Sequence, residues 1–197
     1  MKKIFFFLFI LPLIGIVSCN GESEEDPTED SFNSVKTIID TAYPPIDEYV
    51  LTVMDKLQIC TLSDTVLHLP PCNNELFRVF KYKPDKDWKA GFIIEMVPGL
   101  YGSPVHQIVV VDEFFGKFTI VNQYLGRLLE MRTTVEGYND LLIGYDDPDI
   151  GLVAIRHKWT VNKYDLVDVE EINNHFVKPE MKDSINNIFL PAFAAGH

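Results

Sequence analysis

The sequence predicts an α+β domain in which N-terminal helices pack on a mainly antiparallel β-meander that is sandwich- or barrel-like. Three observations predict it. The helical spacing of apolar residues is concentrated before Cys60. After Cys60, short runs rich in β-branched and aromatic residues alternate with turn residues. The connections between those runs are short, which favours hairpins between consecutive strands.

Val35, Ile38 and Ile39 suggest a first short helix with Ser34 as its cap, interrupted by Pro44-Pro45. Pro45 suits the first turn of a second helix, and Asp47 and Glu48 complement its positive end. Ile46, Tyr49, Val50, Val53, Met54 and Leu57 then form one apolar face, which we read as packing on the domain's own sheet. Strands are expected at Val66–Leu69, Phe77–Tyr82, Phe92–Val97, Gln107–Val111, Lys117–Asn122, Leu128–Thr134, Asp140–Gly144, Val153–Trp159 and Lys163–Val169. Turn chemistry separates them at Pro84-Asp85, Pro98-Gly99, Gly116, Gly126, Gly137 and Asp146–Gly151. Pro179–Phe189 reads as a short helix and Leu190–His197 as a loose tail. There is no clear repeat of fixed period.

The chain has 197 residues, 17 basic and 29 acidic, for a net charge of -12. Its first residues are organised differently from the rest. Lys2 and Lys3 precede an apolar run from Ile4 to Ile14, broken only by Pro12, and smaller residues lead to Cys19. This is the layout of a secretory signal. The run is shorter than the ~20 residues a spanning helix needs.

Ile16-Val17-Ser18-Cys19 resembles the lipobox of bacterial lipoproteins. The resemblance implies cleavage before Cys19 and acylation of its thiol and new amino terminus. The membrane then becomes a partner through acyl chains, each buried methylene contributing about 0.8 kcal/mol. Residues 1–18 are thus read as signal, 19–31 as an acidic disordered tether and 32–197 as one β-rich domain. Six acids lie in Asn20–Ser31. The stretch Ser23-Glu24-Glu25-Asp26 resembles the surface-export signal of Bacteroidota lipoproteins, and Asn20 is not the aspartate that marks inner-membrane retention in enteric bacteria. Outer membrane is the expected location, with periplasmic or surface facing left open. The acidity of the remaining domain argues against nucleic acid and against an electrostatic grip on anionic lipid.

Cys60 and Cys72 can close a disulfide loop in an exported compartment, or remain two buried thiols. No zinc helix, nucleophile elbow, phosphate loop or Cys-x-x-Cys is present. His68, His106, His157, His175 and His197 share no metal-ligand spacing, although His106 lies three residues after Ser103. No cofactor is implied. Asp140, Asp146, Asp147 and Asp149 are oxygen donors of the kind calcium prefers, but their spacing matches no EF-hand and suits a turn equally well.

The segment Gly137-Tyr138-Asn139-Asp140-Leu141-Leu142-Ile143-Gly144, followed by Trp159–Tyr164, resembles one unit of FG-GAP and VCBS-type repeats. The resemblance implies a β-hairpin unit. The calcium-binding aspartates of that family are missing, with Arg132, Thr133 and Thr134 near their place.

Trp88 and Tyr101 stand in polar connections, where aromatics suit sugar stacking or protein contact unless they fold back over the sheet. The reading that results is a lipid-anchored envelope protein with a non-catalytic binding domain for a protein, peptide or glycan. A structural subunit of an outer-membrane assembly and an envelope hydrolase are the alternatives.

Overall fold

Helix α1 (Glu48–Lys56) begins where Asp47 caps it, the Asp47 carboxylate accepting the Tyr49 N–H at 2.9 Å. Strands β1 (Phe77–Phe80), β2 (Gly91–Met96), β3 (Gln107–Phe114) and β4 (Lys117–Leu125) form one antiparallel sheet in that order. Strands β5 (Arg127–Thr133), β6 (Asn139–Asp147), β7 (Gly151–Trp159), β8 (Tyr164–Ile172) and β9 (His175–Phe176) form a second, also in sequence order and antiparallel. Helix α2 (Pro179–Ala195) ends the chain's described part. The structure, a computed structural model, describes residues 44–63, 68–83, 86–135 and 137–195, within the unit Phe32–His197.

Side chains alternate across a strand. On β2, Phe92, Ile94 and Met96 join Val50, Val53 and Met54 of α1 in one buried cluster. Ile93 faces the other way and joins Leu141, Ile143 and Ile155 of the second sheet. The first sheet therefore has apolar neighbours on both faces, which is why β2 reads as a nearly unbroken apolar run.

The chain passes between sheets at Gly126, the single residue separating β4 from β5. The Gly126 N–H donates to the His106 carbonyl at 2.8 Å. A Cβ there would lie 2.7 Å from the Gly144 carbonyl oxygen, so the crossing requires glycine.

The face of the second sheet opposite its core carries charge. Arg132 bonds Glu130 and Glu170, while Arg156 reaches Asp168 at 3.2 Å and Glu170 at 3.2 Å. Lys182 of α2 adds a pair to Asp168 at 2.6 Å. Opposite charges on alternate positions of adjacent strands make this arrangement.

Several expectations change. One helix precedes the strands and one follows them; the helix expected around Val35–Ile39 lies outside the described residues. Helix α1 is shorter at its start because Asp47 is a cap. His68 and Leu69, the described end of the strand expected at Val66–Leu69, form a turn and bend that lead into the Thr61–Pro71 bridge. The β3–β4 strands run longer than expected because Phe115 (φ 52°) and Gly116 (φ 77°) both take positive φ, the geometry of a tight type I′ hairpin. Leu190–Ala195 is helix rather than loose tail: Phe189, Leu190 and Phe193 pack against the core shared by the sheets, and the Phe193 ring lies 4.9 Å from that of Tyr145. Those contacts hold a helix that contains Pro191, a residue that costs about 3 kcal/mol in a helix interior.

Candidate functional site

Helix α1 runs between the two ends of the domain. At its start the Tyr49 ring meets Phe118 at 6.0 Å, beside the β3–β4 hairpin. Just beyond its other end, the Ile59 carbonyl accepts a hydrogen bond from the Tyr101 hydroxyl. The grooves of the molecule lie at this second end.

The connection from β2 to β3 shapes them. Gly99 (φ 96°) turns the chain, and Tyr101 (φ 51°) follows in a short 3-10 segment, Leu100–Gly102. The Gln107 side-chain amide donates to the Leu100 carbonyl at 3.1 Å, and the Ser103 hydroxyl donates to the Val105 carbonyl at 2.9 Å. Tyr101 is thus fixed yet half exposed, and partial burial raises its phenol above the ordinary value.

A groove of about 480 Å³ is lined by Gln58, Ile59, Tyr101, Gln107, Gln123 and Leu125. A second, of about 420 Å³, is lined by His106, Leu125, Arg127, Tyr145, Asp147 and Phe193. Leu125 belongs to both and is half exposed. Volumes of this order fit a few residues of an extended peptide or a short glycan. Their walls mix apolar side chains with amides and charges.

Beneath the second groove lies an ionic cluster. Glu95 of β2 is only 2% exposed. One of its oxygens accepts the Leu128 N–H at 3.0 Å and lies 3.6 Å from His106 Nδ1; the other lies 3.6 Å from Arg78. A buried carboxylate requires such partners. This cluster ties the first sheet to the start of β5 and sets His106, which lines the groove, beside a buried carboxylate. It was not anticipated, although Glu95 is the one charge in the apolar run Phe92–Val97 and could have been marked on that ground.

Ser103 and His106 are not brought together, since the Ser103 hydroxyl is bonded to Val105. His157 is fully buried against Tyr145, whose hydroxyl lies 3.1 Å from its Nε2. His175 stands on β9. Asp140 is drawn into the charged face of the second sheet beside Arg156. It stands at the opposite end of β6 from Asp146 and Asp147, six residues or roughly 20 Å away. The Asp147 carboxylate accepts the N–H groups of Asp149 and Ile150, at 2.9 and 3.1 Å, as a turn former does. Among the described residues no group of three or more His, Cys, Asp or Glu is placed to hold a metal ion.

Trp88 folds back, half buried, against the cluster around α1, with Lys81 Nζ 5.0 Å from its ring centre. Cys60 and Cys72 are joined by a disulfide, with Cα atoms 5.1 Å apart. Cys19 lies outside the described residues. No protein-family profile, no curated protein and no solved structure matches this chain.

Proposed function

We propose that this protein is a lipid-anchored envelope protein whose domain binds a protein, peptide or glycan without chemistry, through the paired grooves that meet at Leu125. The lipobox resemblance at Ile16–Cys19 supports the anchor. The observation that carries the binding reading is the pair of open grooves sharing one exposed apolar residue, Leu125, with the fixed aromatic Tyr101 on one side and His106 and Arg127 on the other. An aromatic or aliphatic anchor between polar walls is the usual composition of a recognition site. In fold terms we take the two sheets as a sandwich, with α1 laid on the outer face of the first.

A photo-crosslinking residue at Leu125 in the full-length protein should give a discrete adduct in cells. The same residue at Asp149, exposed on the neighbouring turn, should not. Equal labelling at both positions, or none at Leu125, overturns the binding reading. The anchor is tested separately: Cys19→Ala should lose the acyl mass and leave the membrane fraction, and unchanged fractionation removes it.

A further inference from the structure

The chain contains three glutamines, Gln58, Gln107 and Gln123, and all three line the groove of about 480 Å³ beside Tyr101. They come from three separate elements: the turn after α1, the start of β3 and the end of β4. No charged side chain lines this groove, although 23% of the chain's residues are charged. The second groove, by contrast, is lined by Arg127, Asp146 and Asp147.

Strand pairing places two of the amides. Gln107 lies opposite Leu125, and Val109 opposite Gln123. Alternation puts these four side chains on one face, with the amides on one diagonal and the apolar pair on the other. Diagonal positions are about 7–8 Å apart, so one ligand of sugar size can meet both amides. The Gln107 amide donates to the Leu100 carbonyl at 3.1 Å, which fixes it and leaves its oxygen to accept from a ligand. Gln123 is exposed, and among the described residues no hydrogen bond engages its amide.

Gln58 stands at φ 57°, just past the C-cap Leu57 of α1. Glycine is the usual residue in that conformation. A glutamine holds it at a cost in backbone energy, which points to a use for the side chain itself. Tyr101 also takes positive φ, and its hydroxyl is engaged by the Ile59 carbonyl. What this half-exposed residue offers a ligand is therefore its ring.

An amide donates and accepts at once, as a sugar hydroxyl does. An aromatic ring with aliphatic neighbours suits the C–H face of a sugar. Uncharged walls favour an uncharged ligand, because an ionised group would lose hydration there without gaining a counter-charge. An added peptide strand fits less well. Strand β4 is the edge of its sheet, but Val110 pairs with Asn122 and Val111 with Ile120, so Val121 is an extra residue. Such a bulge breaks the even spacing that a further strand needs.

We propose that this groove binds a neutral oligosaccharide, its hydroxyls held by Gln58, Gln107 and Gln123 and one sugar face laid on Tyr101. The inference rests on the binding reading and names the ligand class of one of the two grooves. The paired carboxylates that usually hydrolyse a glycoside are absent from its walls, which agrees with binding without chemistry.

The test uses the full-length acylated protein, solubilised in a detergent that has no sugar headgroup. It is applied to an array of neutral and acidic glycans, and the tightest neutral binder is titrated by calorimetry. Neutral glycans should bind, with an affinity unchanged between low and high salt because no ion pair contributes. Gln123→Ala should weaken binding about ten-fold, the loss of one hydrogen bond between neutral partners. Gln58→Gly should weaken it similarly while the unfolding temperature does not fall, since glycine adopts the positive φ freely. That pair of readouts separates a lost ligand contact from a damaged fold. Binding to acidic glycans alone, or to no glycan, overturns the proposal, as does neutral binding that both glutamine variants leave intact. If no glycan binds, a discrete protein or peptide adduct from the crosslinker at Leu125 retains the broader binding reading, and the absence of any adduct removes both.

Discussion

The side-chain amide of Asn122, on edge strand β4, bonds both backbone groups of Tyr164 at the start of β8: it donates to the carbonyl at 3.0 Å and accepts the N–H at 2.7 Å. A side chain thus serves as a strand partner between two sheets that share no ladder. The Tyr124 hydroxyl adds a weaker bond to the same carbonyl at 3.3 Å. Asn122→Ala should leave the Tyr164 N–H without its partner and cost about 2 kcal/mol, within the range for an unsatisfied buried group. Urea denaturation would measure it. An unchanged midpoint would show that solvent replaces the amide.

The Cys60–Cys72 disulfide joins residues 12 apart, beneath α1. Closing a loop of that size stabilises by on the order of 3 kcal/mol in the chain-entropy model. Two backbone bonds already hold the loop: Thr61 N–H to the Pro70 carbonyl at 2.9 Å and Cys72 N–H to the Thr61 carbonyl at 3.0 Å. Cys60→Ser with Cys72→Ser should lower the unfolding midpoint markedly while leaving the sheets folded. Alkylation of both cysteines in the native protein without reductant would show that the bridge does not form.

Burial holds the phenols of Tyr82, Tyr124, Tyr145 and Tyr164 well above their ordinary value of 10.0, and the hydrogen bond to Asp112 adds to the effect at Tyr82. Each favours its neutral form more in the folded state than in the unfolded one. Their contribution to stability is therefore complete below pH ~10 and declines as pH rises beyond it. Tyrosinate absorbance should show these four of the chain's eight tyrosines ionising only as the β-sheet dichroism is lost. Eight tyrosines titrating together with the dichroism intact would refute this.

The parts of the fold legible in the sequence were those with a local signal. Helix α1 announced itself by the spacing of Val50, Val53 and Met54, and β2 by the run Phe92–Met96. The two-residue strand β9 has no such pattern, and its pairing to Glu171 and Ile172 exists only once β8 is in place. The candidate site was less legible still. Leu125 looks like any core leucine at a strand end, and its exposure follows from the sheet crossing at Gly126. Glu95 and His106 lie on separate elements and meet because β2 pairs with β3, Glu95 opposite Ile108.

Arg132 stands among carboxylates on the second sheet, bonded to Glu130 at 3.0 Å and to Glu170. Burial pulls its basicity down, but the hydrogen bonds it donates to Glu130 and Glu170, with their charge, more than offset that and raise it. Arg132→Met should therefore leave two largely buried carboxylates short of a cation, at a cost of about 3 kcal/mol, the low end for breaking such a pair. Arg156 moderates the loss, since it also reaches Glu170 at 3.2 Å. Arg132→Lys should recover only part of it, because an ammonium does not reproduce the two-pronged guanidinium. Arg132→Met combined with Glu170→Gln should cost clearly less than the two changes summed, which is how coupled groups behave in a double-mutant cycle. Strict additivity in thermal or urea unfolding would mean that this charged face is solvated surface rather than a cross-strand brace.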